Sequence, residues 1–426
     1  MQQDSENLKV SAEAGDAVSQ LKLGLKLLAQ SEFKEAIAWL HRAAEQKVPR
    51  AAETIGMLLL TGQGVQRNPE LAFEYFRSAA LAGDAQALYR CAELMARGVE
   101  VNQDLVGALD CLITSAKQGY PLSLRAVAMF WLAEHNTASA RKALLIAACQ
   151  NDPHSQYLLA NLCDDPSEAL HWLGLAANAG LSLALERFKQ ATQDGLLPKV
   201  PTGIELAAVL AQLQDELDQL KWPELPAWSK VELNQSPLVA EVDGFFSDME
   251  SDYLIHQAQF LLEPAQVITE QGGHEHHHFR TGSTAALGSR NLDFVATWLN
   301  ARVNRFLSVQ DGQAEPACVL HYATGQQYKL HLDVLPPDSE FTSVTRGGQR
   351  MLTALVYLNE GFSGGSTLFP KLGLDIPARR GKLLVFENCS ANGDVYENSL
   401  HAGSEIESGD KWVLSRWFRQ TPFQYR

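Results

Sequence analysis

Two histidines and one aspartate of this chain have the types and spacing of a metal site. In an extended chain His331 and Asp333 point to the same face, because alternate side chains of a strand share a face. A lone His-x-Asp triplet is weak evidence in a chain with 12 histidines, so the assignment depends on a further imidazole, His401. One carboxylate and two imidazoles on one side of Fe(II) leave positions for a chelating cosubstrate and O2, whereas zinc more often has a closed tetrahedral set. These residues predict a non-haem Fe(II) oxygenase site.

The residues that follow His401 predict a strand that carries a buried cation. Side chains of a strand point alternately to its two faces, so a strand over 411–418 has four side chains on one face: Lys411, Val413, Ser415 and Trp417. If that face lines the interior, the ammonium needs an anion, which the distal carboxylate of 2-oxoglutarate would supply. Arg416 lies on the opposite face and is predicted to be a surface charge.

The sequence from about residue 238 onward, which must position these residues, has the pattern of a β domain. One helical stretch, 249–262, is followed by short β-rich runs that turn residues separate: 317–322, 352–358, 382–386 and 411–418. Many short strands with glycine-rich turns predict a sandwich or barrel, with a double-sheet jelly roll among the options.

The N-terminal part has a different, repetitive texture. Five alanine-rich segments recur at intervals of roughly 30 residues: 36–44, 72–80, 108–116, 140–148 and 169–177. With the turns between them they predict an α-solenoid of helix-turn-helix repeats over residues 10–195. The pattern resembles the Sel-like repeats, which are related to the tetratricopeptide family. That resemblance implies a surface for a protein partner; the alternative is a spacer without one.

Residues 196–227 are predicted to connect the two parts. Leucines at spacings of four and three predict a helix over 204–221, and Pro223 and Pro226 end it. A helix that caps the solenoid is the favoured interpretation, and dimerisation is the alternative.

A long series of ordered motifs makes residues 228–422 similar to the catalytic domain of the prolyl 4-hydroxylases, within the 2-oxoglutarate- and Fe(II)-dependent oxygenases. The motifs lie at 245–255, 280–282, 322–333, 348–350, 357–359, 364–370, 381–386, 401–403 and 411–417. The resemblance implies a double-stranded β-helix (jelly roll), Fe(II), 2-oxoglutarate and O2. It also implies that L-ascorbate restores iron oxidised in uncoupled turnovers.

The resemblance also implies roles for single residues. It makes His331, Asp333 and His401 the catalytic iron ligands and Lys411 the partner of the 2-oxoglutarate carboxylate. Two further residues, Tyr322 and Thr353, correspond to positions that help to hold the cosubstrate.

Other positions correspond to contacts with a peptide. Arg350 and Trp417 stand where the family contacts its substrate, and Tyr328 is either core or substrate-facing. Arg419 replaces a histidine found in plant and algal relatives, which puts the substrate contact there in doubt. The segment before Arg280 corresponds to a loop that closes over the substrate.

Charge and hydropathy restrict the partners. The net charge of −15 disfavours nucleic acid and anionic membranes, so a protein or peptide substrate of basic or neutral character fits better. Neither a secretion signal nor an apolar run long enough for a membrane span is present, which predicts a cytoplasmic protein.

Two sets of potential ligands are interpreted as structural or solvated. The histidine cluster 274–278 suggests a second metal site, but consecutive histidines in a glycine-flanked loop are more often solvated. The cysteines form no Cys-x-x-Cys pair and are predicted to be buried free thiols: Cys91, Cys111, Cys149, Cys163, Cys318 and Cys389.

Hydroxylation of a prolyl residue in a protein is the function that the sequence favours. One alternative is hydroxylation of another residue or of a small molecule, because iron and cosubstrate sites say little about the substrate. Another is a repeat-based interaction protein whose oxygenase domain is inactive. Nucleic-acid demethylation fits least because of the acidity.

Overall fold

Two compact units make up the chain. The computed structural model describes residues 2–98, 101–265, 267–268, 274–275, 280–288, 293–336 and 347–423. The first unit comprises Met1–Leu175, Gly195–Pro223 and Asp293–Thr297. The second comprises Ala176–Asp194, Glu224–Leu292 and Trp298–Arg426.

Thirteen helices run through the described residues before the β region. They are α1 Gln2–Glu13, α2 Ala17–Ala29, α3 Phe33–Glu45, α4 Pro49–Thr61, α5 Pro69–Leu81, α6 Ala85–Arg97, α7 Leu105–Lys117, α8 Pro121–Ala133, α9 Thr137–Cys149, α10 Pro153–Ala160, α11 Pro166–Asn178, α12 Ser182–Gln193 and α13 Leu206–Asp218. Seven of them begin after a residue whose side chain accepts a hydrogen bond from an amide of the first turn, as favoured N-cap residues do. These residues are Asp16, Asn68, Asp84, Asp104, Asn136, Asp152 and Asp165.

The predicted helix-turn-helix repeats are confirmed. The five alanine-rich segments lie in α3, α5, α7, α9 and α11, and a second helix follows each of them. Alanines at the helix contacts are fully buried, as at Ala36, Ala72 and Ala108, each 0% exposed. Small residues let the helices approach closely, since a Cβ on Gly56 would lie only 2.6 Å from the ring of Phe76. The predicted helix 204–221 is observed as α13.

The repeat core should be sensitive to a loss of volume. Leu112 on α7 is 0% exposed, so we expect Leu112→Ala to lower the free energy of unfolding by about 2–5 kcal/mol. Urea unfolding followed by helical circular dichroism measures this change. Leu81→Ala is the matched control, because Leu81 is 85% exposed and its loss should cost less than about 0.5 kcal/mol. Equal losses in the two variants would contradict the packing described here.

The second unit holds the β domain. Its strands are β1 Val231–Gln235, β2 Leu238–Val242, β3 Glu263–Pro264, β4 Val267–Ile268, β5 His274–Glu275, β6 Ser283–Leu287, β7 Ala317–Ala323, β8 Tyr328–His331, β9 Arg350–Tyr357, β10 Ser363–Gly364, β11 Thr367–Phe369, β12 Leu374–Ile376, β13 Leu383–Glu387, β14 His401–Gly403, β15 Ile406–Ser408 and β16 Asp410–Arg419. The four predicted β-rich runs are therefore confirmed as β7, β9, β13 and β16.

Two larger sheets enclose the core of this domain. Eight strands form one sheet in the order β1-β2-β13-β9-β16-β7-β6-β3, and four form another in the order β12-β11-β14-β8. Leu320, Tyr357 and Phe386 of the larger sheet pack in one apolar cluster with Phe369 and Ile376 of the smaller sheet. The expected double-sheet jelly roll is confirmed.

Among the described residues from 228 onward, two α-helices accompany these strands, and the sequence predicted only one of them. The predicted stretch is α14 Asp248–Ala258, whereas α15 Phe294–Phe306 was not foreseen. The prediction that Arg416 is a surface charge is wrong: this side chain is buried and donates to Asn300 Oδ1 and Asn304 Oδ1, both at 3.0 Å. These two asparagines belong to α15, which covers the outer face of β16.

The cysteines are free, as predicted, but only Cys91 and Cys389 are fully buried. The other four are partly exposed. Among the described residues, no helix combines the length and the apolar character that crossing a bilayer requires.

Candidate active site

Strand pairing brings the two predicted histidine ligands together. β8 and β14 are antiparallel neighbours, and His331 lies directly opposite His401 in their register. Asp333 follows shortly after β8, with Oδ1 3.5 Å from His331 Nε2 and Oδ2 3.7 Å from His401 Nε2. One ligand atom from each of the three residues lies within 4.8 Å of the others. The His-x-Asp…His triad is therefore assembled.

Backbone carbonyls select the tautomer of both imidazoles. His331 Nδ1 lies 2.7 Å from the carbonyl oxygen of Lys329, and His401 Nδ1 lies 3.0 Å from that of Ser399. A carbonyl oxygen can only accept, so each Nδ1 carries the hydrogen and donates it. The Nε2 atoms, which both face the Asp333 carboxylate, are therefore the ring nitrogens that a metal can bind once it displaces any hydrogen there.

Burial and charge give the triad the protonation state that a metal needs. Burial lowers the pKa of His401 to about 4, and the neighbouring His331 contributes to this shift. Burial raises the pKa of Asp333, but hydrogen bonding to His331 and the two imidazoles outweigh that effect and hold it well below its usual range. At neutral pH the set therefore contains a carboxylate and a neutral His401, a donor set that fits Fe(II).

A pocket with an empty volume of about 540 Å³, partly open to solvent, contains the triad. Its wall includes Tyr328, whose ring stacks on His331 with centroids 3.4 Å apart. The predicted inward face of β16 is confirmed, since it contributes Lys411, Val413, Ser415 and Trp417 to this wall. Two of these residues present donors with no partner among the described residues: Ser415 Oγ and Trp417 Nε1.

Lys411 is a buried cation within this pocket. Its side chain is 5% exposed, and Nζ donates to the carbonyl oxygen of Gly365 and lies 5.2 Å from the centre of the Tyr357 ring. In the described part of the chain no carboxylate forms an ion pair with it. Burial lowers the pKa of Lys411 to about 7. The group is therefore available to an anion that enters the pocket.

The predicted cosubstrate residues occupy two different positions. Tyr322 lines the pocket. Thr353 is fully buried outside the pocket wall, and its hydroxyl donates to Asp333 Oδ2 at 2.9 Å. Thr367 is the threonine on the pocket wall, and no role was predicted for it from sequence. It lies in the Gly364-Gly-Ser-Thr-Leu-Phe-Pro motif, so the signal was present.

The predicted substrate residues Arg350 and Trp417 contact each other, with the guanidinium 4.4 Å from the indole centre. Glu315, which the sequence analysis missed, accepts two hydrogen bonds from Arg350 at 2.8 and 2.6 Å and one from Arg419 at 3.0 Å. Burial raises the pKa of Glu315, but the two guanidinium groups lower it below its ordinary value. The Arg419 guanidinium therefore forms an internal ion pair with Glu315.

The histidine cluster 274–278 and most of the loop before Arg280 lie outside the described residues, apart from the backbone of β4 and β5. Their predicted roles stay predictions.

Comparisons with known proteins agree with this geometry. Residues 317–419 match the profile of the 2OG-Fe(II) oxygenase superfamily, and residues 18–48, 49–84, 85–120 and 153–181 match the Sel1 repeat. A probable prolyl 4-hydroxylase 6 of Arabidopsis thaliana is 31% identical over 212 residues, which cover 45% of this chain and 72% of the relative. A putative prolyl 4-hydroxylase of Acanthamoeba polyphaga mimivirus is 39% identical over 122 residues, or 28% of this chain and 50% of the relative.

Among solved structures, a viral collagen prolyl hydroxylase from Paramecium Bursaria Chlorella virus-1 in complex with 2OG is 26% identical. It matches with a TM-score of 0.34 and covers 42% of this chain and 95% of the viral chain. The profile match at 317–419 includes every residue that lines the pocket.

Proposed function

The chain belongs to the 2OG-Fe(II) oxygenase superfamily, with an oxygenase domain related to the prolyl 4-hydroxylases and N-terminal Sel1 repeats, and we propose that it hydroxylates prolyl residues of a protein at carbon 4. It is a 2-oxoglutarate- and Fe(II)-dependent dioxygenase. One observation carries the proposal: the His331, Asp333 and His401 side chains share one pocket with the buried cation Lys411.

In this proposal His331, Asp333 and His401 hold Fe(II). When bound, iron and 2-oxoglutarate supply the oxidising chemistry, in which 2-oxoglutarate is decarboxylated to succinate and one oxygen atom of O2 enters the substrate. The carbonyl groups of Lys329 and Ser399 fix the imidazole planes, so that both Nε2 lone pairs stay directed at the metal position. Burial of Asp333 and His401 keeps water away from this side of the site.

Lys411 is proposed to bind the distal carboxylate of 2-oxoglutarate, beside Tyr322 and Thr367 on the pocket wall. The Thr367 hydroxyl lies 2.7 Å from the hydroxyl of Tyr357, which orients it. Burial raises the pKa of Tyr357, so its phenol stays neutral next to the ammonium. Lys411 is then the cation that neutralises the incoming carboxylate.

The affinity for 2-oxoglutarate should fall as the pH rises through the pKa of Lys411. With that pKa at about 7, roughly nine-tenths of Lys411 is protonated at pH 6 and roughly one-tenth at pH 8. If only the ammonium form binds the carboxylate, the dissociation constant rises about tenfold over this interval. Anaerobic calorimetry with the Mn(II)-loaded protein measures it, and binding at pH 8 should take up a proton from the buffer. An affinity independent of pH and without proton uptake would argue against this role.

Trp417, Arg350 and Tyr328 are proposed to contact the peptide. Trp417 lines the pocket, so its indole is proposed to pack against the substrate, while Nε1 itself is buried and has no hydrogen-bond partner among the described residues. Arg350, held by Glu315, stacks on the indole and limits its movement. Tyr328 shields one face of His331.

Peptide hydroxylation tests the proposal directly. Peptides that differ only by proline or alanine at one position are incubated with Fe(II), 2-oxoglutarate and O2, and products are identified by mass spectrometry. A gain of one oxygen atom on proline, coupled to succinate release, is the expected result. Modification of only another residue, or of only small molecules, would replace the prolyl proposal by that alternative. Addition of ascorbate is expected to prolong the linear phase of turnover.

The Sel1 repeats are proposed to bind a protein partner, which can be the substrate itself. A full-length substrate should then show a lower KM than an isolated peptide with the same target proline. Equal KM values would show that the repeats do not recruit the substrate.

A further inference from the structure

Asp333 is held by a buried chain of two hydrogen bonds that starts at Asn388, directly after β13, and passes through Thr353 on β9. Asn388 Nδ2 donates to Thr353 Oγ1 at 2.9 Å, and Thr353 Oγ1 donates to Asp333 Oδ2 at 2.9 Å. Asn388 and Thr353 are 0% exposed and Asp333 is 7% exposed. None of these bonds therefore competes with bulk water, which makes each of them stronger than at the surface.

The direction of this chain follows from the chemistry of its members. A carboxylate that holds a metal ion is deprotonated and can only accept, so the single hydroxyl hydrogen of Thr353 must point to Asp333. Thr353 Oγ1 then needs a donor, and the amide NH2 of Asn388 is the donor that reaches it. If the amide oxygen of Asn388 occupied that position instead, two acceptors would compete for one hydrogen.

The donors are more rigidly placed than the acceptor. Thr353 lies within β9, where it pairs with Phe386 on one side and Trp417 on the other. The backbone of Asn388 donates to Met351 at 2.7 Å and accepts from Tyr396 at 2.9 Å. Asp333 lies beyond the end of β8, outside any strand, so its carboxylate depends on side-chain contacts for its orientation.

We propose that Asn388, acting through Thr353, orients Asp333 so that Oδ1 alone serves as the ligand oxygen. Each carboxylate oxygen faces one imidazole, Oδ1 at 3.5 Å from His331 Nε2 and Oδ2 at 3.7 Å from His401 Nε2. They differ in that Oδ2 also accepts the hydrogen bond from the Thr353 hydroxyl. A carboxylate that binds through one oxygen leaves the remaining coordination positions to the cosubstrate and O2. Thr353 and Asn388 are thus positioning residues, and the inference rests on the metal role proposed for the triad.

Metal binding without turnover tests this inference. Mn(II) affinity is measured by calorimetry for the wild-type protein and for Thr353→Val, Thr353→Ser and Asn388→Asp. Thr353→Val removes the hydroxyl at nearly constant shape, and Asn388→Asp replaces the donor by an acceptor that draws the Thr353 hydrogen away from Asp333. Both should weaken Mn(II) binding by about 10- to 100-fold, whereas Thr353→Ser restores the hydroxyl and with it the affinity. The visible charge-transfer band of the anaerobic Fe(II)–2-oxoglutarate complex should shift in the two weakened variants only.

Thr297→Val is the matched control, because Thr297 is also buried but its hydroxyl has no hydrogen-bond partner among the described residues. It should bind Mn(II) as the wild type does. Wild-type Mn(II) affinity in folded Thr353→Val or Asn388→Asp would overturn the inference and leave the proposed function intact. A wild-type protein that binds neither Mn(II) nor 2-oxoglutarate would instead overturn the proposed function. If Thr353→Val fails to fold, the pair Thr353→Ser and Asn388→Asp decides.

Discussion

Replacing His401 with alanine is expected to reduce succinate formation from 2-oxoglutarate to the level of a control without enzyme. His401 is one of only two imidazoles that face Asp333 among the described residues, and it lies 3% exposed at the pairing of β14 with β8. Its loss leaves two protein ligands, too few to retain the metal in a defined geometry. Succinate release with Fe(II) and O2, together with calorimetry of Mn(II) binding, measures both consequences.

His321→Ala is the matched control for that experiment. His321 lies on β7 in the same sheet as Lys411, but its ring pairs with Asp410 at 3.0 Å and contacts the Trp412 ring at a tilt of 42°, and His321 does not line the pocket. Its replacement should leave Mn(II) binding and succinate formation nearly unchanged. Turnover at the wild-type rate in a folded His401→Ala protein would show that these three side chains do not form the metal site.

The inward face of β16 could be predicted from sequence because a strand has a period of two residues. Once Lys411 is placed inside, Val413, Ser415 and Trp417 must follow, and all of them line the pocket. The same two-residue period predicted that His331 and Asp333 point to the same face. His401 was chosen as the third ligand from its residue type and from Lys411 ten residues later, and the order of motifs, which resembles a known family, then supported it. Spacing alone does not show which distant strands become neighbours.

The errors concern residues whose environment comes from elsewhere in the chain. Alternation correctly placed Arg416 on the outer face of β16, but α15 covers that face and supplies Asn300 and Asn304 as partners. The signal for α15 was present, because Asp293 accepts a hydrogen bond from the amide of Ala296 as an N-cap would. The sequence of the strand alone does not distinguish an exposed arginine from one that is buried and hydrogen-bonded.

The support of Asp333 was also beyond the reach of sequence patterns. Thr353 carries no sign of its partner, and Asn388 reaches it only because β9 and β13 are paired. The directions of these two hydrogen bonds, from which we infer which oxygen of Asp333 is the ligand, can be read only from a three-dimensional structure. By contrast, the ion pairs of Glu315 with Arg350 and Arg419 follow from residue charges alone, once it is known which strands are neighbours.

Replacing Lys411 with methionine should weaken 2-oxoglutarate binding by about 2–5 kcal/mol, roughly 30- to 5,000-fold, because a buried carboxylate would lose its counter-ion. The isothermal dissociation constant for 2-oxoglutarate, measured anaerobically with Mn(II), gives this value. Affinity for Mn(II) alone should stay unchanged, since Lys411 is not a ligand, and this separates the variant from His401→Ala. Lys371→Met is the matched control, because Lys371 is 42% exposed and its ammonium pairs with Glu397 at 3.4 Å, at the protein surface. Its loss should not affect 2-oxoglutarate, whereas an unchanged dissociation constant in Lys411→Met would move the cosubstrate carboxylate to another part of the pocket.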